Sequence, residues 1–192
     1  YYRWRRFKEA VQFYDKSKEL DPTIPEVWAN RGNALRDLGD TYEAESSLHK
    51  AIEISPDYAW AYSCLAHIKQ RLTKIEETIE CVNRAVELQP DNAEIRLSHL
   101  VLQLPLLPAN ENEGQKCLLS FGKELVNLEN WAYKNIEHLK NLGERAGYSQ
   151  PYYIAYRSGN HRNILAQYGR LMSSAVEAFR SSEPTSKIRT NK

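Results

Sequence analysis

The chain has 192 residues, with 26 basic and 25 acidic side chains, and its formal net charge is +1. This balance gives no electrostatic attraction to nucleic acid or to an anionic membrane, and no apolar run approaches the roughly 20 residues of a membrane-spanning helix. We therefore expect neither nucleic acid nor a membrane among its partners. The three cysteines form an odd, scattered set, which favours reduced thiols in a cytoplasmic protein over disulfides.

The first elements of the chain follow a register of similar residues spaced 34 positions apart. Proline recurs in this register, and so do small residues and bulky residues in three parallel series. The series are Pro22, Pro56 and Pro90; Ala10, Ala44 and Thr78; Tyr14, Leu48 and Val82; Ser17, Ala51 and Ala85. This period is typical of helical hairpins that stack into a solenoid. Because such solenoids are binding scaffolds, the pattern indicates binding of a partner more directly than it indicates a catalysed reaction.

The clearest copy of the repeat runs from residue 25 to residue 58. Pro25 suits the first turn of a helix, and Gly39 ends the helical pattern. A second helix is predicted over residues 42–54. Gly32 and Ala44 are small enough to let the two helix backbones approach closely. One hairpin cannot bury its own apolar face, so neighbouring copies must stack on it.

A second copy is predicted over residues 59–92, and residues 1–20 are interpreted as the second helix of a partial repeat. Because the chain starts inside a repeat, we expect the natural protein to continue upstream. After Pro90 the period fails, although residues 93–103 still favour a helix before Pro105 and Pro108 interrupt it.

Three more helices are predicted after these prolines. They cover residues 111–128, then residues 131–146 with Asn130 as the cap and Gly147 as the stop, and residues 161–180. Residues 150–156 are predicted to pack as an extended aromatic connector, and a polar loop is predicted from Ser181.

Residues 25–92 closely resemble the tetratricopeptide repeat family. The resemblance implies an all-α fold, with a tetratricopeptide-type helical solenoid and a non-repeating helical C-terminal cap. We predict repeats over residues 1–104, of which the first is partial and the last degenerate. The cap or linker region is predicted over residues 105–181, and a flexible tail over residues 182–192.

No pattern in the chain indicates catalysis. It has no phosphate-binding glycine loop, no zinc-protease motif and no paired cysteine motif. Its five histidines show no pair at metal-ligand spacing on one helix, so structural or solvent-facing roles are expected for them. We therefore predict that this chain is not an enzyme and has no catalytic residue, cofactor or metal site.

The first helices of successive repeats are expected to line a concave surface. Asparagine both donates and accepts hydrogen bonds, so Asn30 and Asn33 could hold the backbone of an extended peptide, although both could also be simply solvated. Trp60 could anchor a partner or belong to the core. Arg36 could bind a carboxylate unless Asp37 neutralises it. The predicted partner-binding residues are Asn30, Asn33, Arg36, Trp60, His67 and Arg71.

Residues 151–170 resemble the segment that links the repeats to the catalytic half in SPINDLY-type proteins, which are relatives of the O-linked N-acetylglucosamine transferases. The resemblance implies a two-lobed nucleotide-sugar glycosyltransferase that would begin near or after Lys187, so no catalytic residue is carried over. In those transferases, asparagines along the groove grip substrate peptides. Asn30 and Asn33 are similar to that pattern, whereas Cys64 and His67 replace them in the next repeat.

The sequence thus predicts a scaffold that binds an extended peptide or a partner protein, as the substrate-binding region of a protein O-glycosyltransferase. One alternative is a free-standing tetratricopeptide adaptor. Another is a chaperone cofactor that clamps a C-terminal carboxylate, which requires a cluster of lysine and arginine in the groove. The sequence predicts neither the partner nor the oligomeric state.

Overall fold

The computed structural model describes residues 2–106, 108–147, 151, 154 and 159–182, with side chains from residue 6 onward. Within these residues the fold is all-helical and contains no strand. The helices are α1 (Tyr2–Leu20), α2 (Pro25–Leu38), α3 (Thr41–Ile54), α4 (Ala59–Arg71), α5 (Ile75–Leu88), α6 (Ala93–Leu102), α7 (Glu111–Tyr133), α8 (Ile136–Glu144) and α9 (Arg162–Ser182). No described helix combines the length and the apolar content needed to cross a bilayer.

Consecutive helices pack against each other, and α2, α4 and α6 also lie side by side. The hairpin of α2 and α3 shows why. Gly39 takes a positive φ of 89°, its N–H donates to the Arg36 carbonyl, and the next N–H, of Asp40, donates to the Leu35 carbonyl. A Cβ atom on Gly32 would lie 2.8 Å from Leu48 Cγ, so the predicted close approach of the two helices at this glycine is confirmed.

A ladder of side-chain hydrogen bonds repeats with the period of the sequence. Trp28 Nε1 donates to the Pro22 carbonyl (2.8 Å), and the Tyr62 hydroxyl donates to the Pro56 carbonyl (3.2 Å). Arg96 Nε donates in the same way to the Pro90 carbonyl. Each proline therefore has a second role besides ending the preceding helix. Its carbonyl accepts a hydrogen bond from a side chain near the start of the next repeat. Tryptophan, tyrosine and arginine can all serve, because each carries an N–H or O–H group.

The buried side chains form two large clusters with α6 between them. The cluster of the repeats includes Leu48, Leu65 and Ile68 from α3 and α4. The cluster of the C-terminal helices is centred on Phe121 and Leu125 of α7. Helix α6 joins the two regions because Leu97 and Leu100 belong to the C-terminal cluster while Ile95 and Leu102 pack on α4 and α5. The full C-terminal cluster is Ala93, Leu97, Leu100, Leu104, Phe121, Leu125, Leu128, Trp131, Ala132, Leu142, Ile154, Leu171 and Ala175.

Several predicted helix ends were wrong in the C-terminal region. Asn130 is not a cap but lies inside α7, which continues to Tyr133, because Trp131 and Ala132 are buried on the same face as Leu128. The cap is Asn135, whose side-chain oxygen accepts the Glu137 N–H (2.7 Å) and starts α8. Helix α9 ends at Ser182, so Ser181 is helical. The tail from residue 183 and most of the predicted connector lie outside the described residues, and the division into repeats and cap at residue 104 stays a prediction.

Candidate peptide-binding groove

Side chains from α2, α4 and α6 surround a pocket of about 280 Å³ on the face where these helices lie side by side. Four of the six predicted site residues line it, on α2 and α4. Arg145, which follows α8 in the C-terminal helical cap, closes one side of the pocket. The lining residues are Asn33, Arg36, Trp60, Ser63, Cys64, His67, Glu94, Leu97, Ser98 and Arg145.

Asn33 carries the most informative atom of this pocket. Its Oδ1 is buried and has no hydrogen-bond partner among the described residues. Leaving a buried acceptor unpaired costs about 1–3 kcal/mol, which is why such atoms are rare in folded proteins. Rotation of the Asn33 side chain towards the pocket would let a ligand N–H or O–H donate to this oxygen and remove the cost.

Two predicted site residues do not line the pocket. Asn30 is half-buried elsewhere on α2. Arg71 instead donates from Nη1 to the Arg36 carbonyl (2.9 Å), and its neighbour Gln70 donates from Nε2 to the Leu104 carbonyl (2.7 Å). These two bonds tie the C-terminal end of α4 to the ends of α2 and α6, so Arg71 has a structural partner already.

The cations around the pocket are paired. Arg36 Nη2 lies 3.0 Å from Asp37 Oδ1. Of the two alternatives that the sequence left open for Arg36, this is the one in which Asp37 neutralises it. Arg145 Nη1 lies 3.6 Å from Glu94 Oε2. Sequence reasoning missed both Glu94 and Arg145. Glu94 occupies the position of Trp60 one period later, so the period could have found it, whereas Arg145 belongs to a helix outside the period.

His67 and Cys64 are uncharged at neutral pH. Burial lowers the pKa of His67 to about 4, and the nearby Arg36 guanidinium acts in the same direction. Burial raises the pKa of the Cys64 thiol to about 12, so it is not a nucleophilic thiolate. Within the part of the chain that the structure describes, no cluster of histidine, cysteine, aspartate and glutamate is arranged to hold a metal ion.

Trp60 lies between the core and the pocket, and its role as a partner anchor stays a prediction. The half-buried ring packs against the core cluster of the repeats and also forms a wall of the pocket. An indole in this position offers a rigid apolar surface to a ligand at little conformational cost. The lining residues therefore include one apolar wall, one asparagine whose buried oxygen is unpaired, and no free cation.

Two segments of the chain match the tetratricopeptide repeat family, at residues 25–58 and 61–92. RNA polymerase II-associated protein 3 of Mus musculus is 32% identical over 94 residues, which are 49% of this chain and 14% of that protein. The DnaJ homolog subfamily C member 7 homolog of Schizosaccharomyces pombe is 26% identical over 151 residues, 76% of this chain and 32% of that protein. Hsp70-Hsp90 organizing protein 2 of Arabidopsis thaliana is 29% identical over 50% of this chain and 17% of that protein. The chain thus spans less than a third of the length of each relative.

Solved structures share the fold over nearly the whole chain. TTC0263, a thermophilic tetratricopeptide protein of Thermus thermophilus, has a TM-score of 0.58 and 16% identity, covering 94% of this chain and 92% of that one. YrrB, described as a tetratricopeptide protein with an unusual peptide-binding site, has a TM-score of 0.54 and 18% identity, covering 92% and 84%. The chain therefore folds as a tetratricopeptide-type helical solenoid with a helical C-terminal cap, as predicted.

Proposed function

We propose that this chain is a protein-interaction adaptor whose groove binds an extended segment of a partner protein. The observation that carries the proposal is the buried, unpaired Oδ1 of Asn33, a residue that lines the same pocket as Trp60 between three adjacent first helices. The similarity to the DnaJ and Hsp70-Hsp90 organizing relatives, whose names describe chaperone-associated proteins, supports an adaptor of this class.

An extended peptide satisfies the chemistry of the groove. Once the Asn33 side chain turns its oxygen towards the pocket, a backbone N–H of the peptide donates to Oδ1, and a peptide has such a group at nearly every residue. A neighbouring apolar side chain packs on the Trp60 ring. Because one contact reads the backbone and the other needs only apolar surface, the groove accepts a range of sequences.

The same pocket disfavours a ligand that binds through its C-terminal carboxylate. Arg36 and Arg145 each have a carboxylate partner, and Arg71 is bonded to a backbone carbonyl. His67 is neutral, and the lining residue Glu94 carries the carboxylate that pairs with Arg145. A carboxylate would have to compete with the existing partners of these arginines, so the proposed ligand is an internal segment of the partner.

The substrate-binding region of a protein O-glycosyltransferase stays the second candidate. Its support is the resemblance of residues 151–170, much of which lies outside the described residues. None of the relatives named above is described as a glycosyltransferase, and the groove chemistry is the same for either role. The adaptor is therefore the better supported function.

The test compares two asparagines of one helix. An array of peptides of about 12 residues, each with blocked ends, supplies the best binders for titration by fluorescence polarisation. We expect Asn33→Ala to weaken binding about 2- to 10-fold, since one lost hydrogen bond is worth about 0.5–1.5 kcal/mol. The matched control, Asn30→Ala, should bind as the wild type does.

Each binder is also titrated with a free C-terminal carboxylate in place of the blocked end. The proposal expects no gain in affinity from the free carboxylate. Equal affinities of the Asn33→Ala and Asn30→Ala proteins would place the ligand elsewhere, and a clear preference for the free carboxylate would support the chaperone-cofactor alternative instead.

A further inference from the structure

The outer face of α7 carries three large, exposed apolar side chains in line. Leu119 is 75% exposed, Val126 45% and Tyr133 50%. Seven residues turn an α-helix through nearly two full turns, with a drift of only about 20°. These three residues, hereafter the α7 stripe, therefore form one row along the helix rather than three scattered exposures.

The stripe is not needed to hold α7 in the fold. Phe121, Leu125 and Leu128, on the opposite side of the helix, are buried in the C-terminal core cluster. A helix at a protein surface ordinarily has one apolar face and one polar face. Helix α7 has a complete buried face and a second apolar row that points away from it.

One edge of the stripe is basic and unpaired. Lys116, Lys123 and Lys134 are exposed, and at 3.6 residues per turn they lie roughly 40–80° to one side of the apolar row. None of the three side chains forms an ion pair with a carboxylate of residues 2–106, 108–147 or 159–182. The surface is thus an apolar row with a line of available positive charge along it.

The other edge of the stripe is already occupied by α9. Gln167 Nε2 donates to Glu129 Oε2 (2.6 Å), and the Tyr133 hydroxyl donates to Ser174 Oγ (3.2 Å). These bonds fix the positions of the polar groups on that edge, and Glu129 keeps its negative charge there. The α7 stripe and its lysines therefore form a shallow surface bounded on one side by α9 and open on the lysine side.

We propose that the α7 stripe docks one amphipathic helix of a partner protein, with acidic residues along the edge that faces the lysines. The apolar residues of that helix cover Leu119, Val126 and Tyr133. Its glutamates or aspartates pair with Lys116, Lys123 and Lys134. The stripe is about 21 Å long at 1.5 Å per residue, so the docked helix has at least about four turns.

Charge disfavours two other occupants, an antiparallel second copy and the C-terminal segment of this chain. In an antiparallel pair of two α7 stripes, equivalent edges face each other, so a second copy would set lysine against lysine. The C-terminal residues of this chain carry Lys187, Arg189 and Lys192 against a single Glu183. That segment is basic and would be repelled by the same edge. A separate acidic helix is the occupant that the charges favour.

The experiment uses two labelled synthetic helices of about 18 residues as probes. Both carry the same leucine heptads, and the flanking positions are glutamate in one peptide and lysine in the other. By fluorescence anisotropy at low ionic strength, we expect the acidic peptide to bind the wild type at least about tenfold more tightly than the basic one. The double variant Lys116→Glu/Lys123→Glu should reverse this preference.

The apolar half of the proposal is tested with Leu119→Gln/Val126→Gln, which keeps good helix formers at exposed positions. This variant should lose binding of the acidic peptide while its circular dichroism stays unchanged. Asn33→Ala should retain it, which separates this surface from the groove. Equal affinity for both peptides, no saturable binding of the acidic peptide, or full binding by the glutamine variant would overturn the proposal. So would wild-type dimerisation that the glutamine variant abolishes, since it would assign the stripe to a second copy.

Discussion

At the scale of single residues, the groove depends on side chains whose surroundings decide their charge. His67 lies in the pocket with Arg36 and has a pKa of about 4, well below its ordinary value. Between pH 6.5 and 4 the unfolded chain binds a proton at this histidine and the folded chain does not. The free energy of unfolding therefore loses this contribution progressively as pH falls through that window.

We expect His67→Leu to reduce the acid sensitivity of the protein. The variant lacks the titrating group, so its melting temperature should fall less than that of the wild type between about pH 7.5 and about pH 5. His99 also has a pKa lowered by burial, but it is present in both proteins and cancels in the comparison. Identical pH dependence in the two proteins would show that His67 is protonated in the folded state as readily as in the unfolded chain.

The sequence predicted four pocket residues because the period places equivalent positions of neighbouring first helices side by side. Asn33 and His67 occupy equivalent positions and both line the pocket. The period gives the face of a helix but not the partner of a long side chain, which is why Arg71 was placed in the groove although it bonds to a carbonyl. Whether these residues bind a peptide stays a prediction.

At the scale of helices, the close approach of two helix backbones is the feature that the sequence predicts most directly. A Cβ on Gly32 would lie 2.8 Å from Leu48 Cγ and 3.0 Å from the Ala44 carbonyl oxygen, so α2 and α3 would have to separate. By contrast, a Cβ on Gly169 in α9 would meet nothing within 4 Å. The two glycines lie inside helices but differ in what surrounds them.

Alanine substitutions at these glycines should therefore have opposite signs. Gly32→Ala is expected to lower the free energy of unfolding by about 1–2 kcal/mol, because overpacking outweighs the gain in helix propensity. Gly169→Ala should raise it by about 0.5–1 kcal/mol, the propensity gain alone. Urea denaturation measures both, and stabilisation of the two variants alike would mean that α2 and α3 are not held this close.

Helix ends were predictable where a proline or glycine in the local sequence marks them. Pro25 and Gly39 mark α2 in the sequence as they do in the structure. Around residue 130 the prediction used Asn130 as the cap, whereas burial of Trp131 and Ala132 carries α7 past it and the next helix starts after Asn135. Burial depends on which neighbour covers the helix, so local propensity could not settle it.

At the scale of the whole molecule, α6 lies between the two large core clusters, and most contacts join successive helices. In such an arrangement, stability is approximately a sum over repeats and their neighbouring interfaces. The junction with the cap has contacts of its own. Trp131 Nε1 donates to Asp91 Oδ1 (3.1 Å), and the His138 ring stacks on Trp131 with 4.3 Å between ring centroids. These contacts lie outside the 34-residue period. The sequence therefore predicted the helices of the C-terminal cap but not how they pack.

We expect damage to one cluster to be felt mainly on its own side of the molecule. Phe121→Ala should cost about 3–5 kcal/mol and raise amide hydrogen exchange most in α7, α8 and α9. Leu48→Ala, at about 2–5 kcal/mol, should raise it most in α2 and α3. Mass spectrometry of exchanged peptides resolves the helices, and equal acceleration everywhere in both variants would indicate a single cooperative unit instead.

The two bonds from the end of α4 give the groove a mechanical property. Arg71 is tied to the Arg36 carbonyl on one side and Gln70 to the Leu104 carbonyl on the other, both at the C-terminal ends of the first helices. Along this edge, neighbouring repeats cannot spread without breaking a hydrogen bond. A pull that opens this edge meets two additional tethers, whereas bending that closes it does not stretch them. We therefore expect the stack of repeats to resist bending that opens this edge more than bending that closes it.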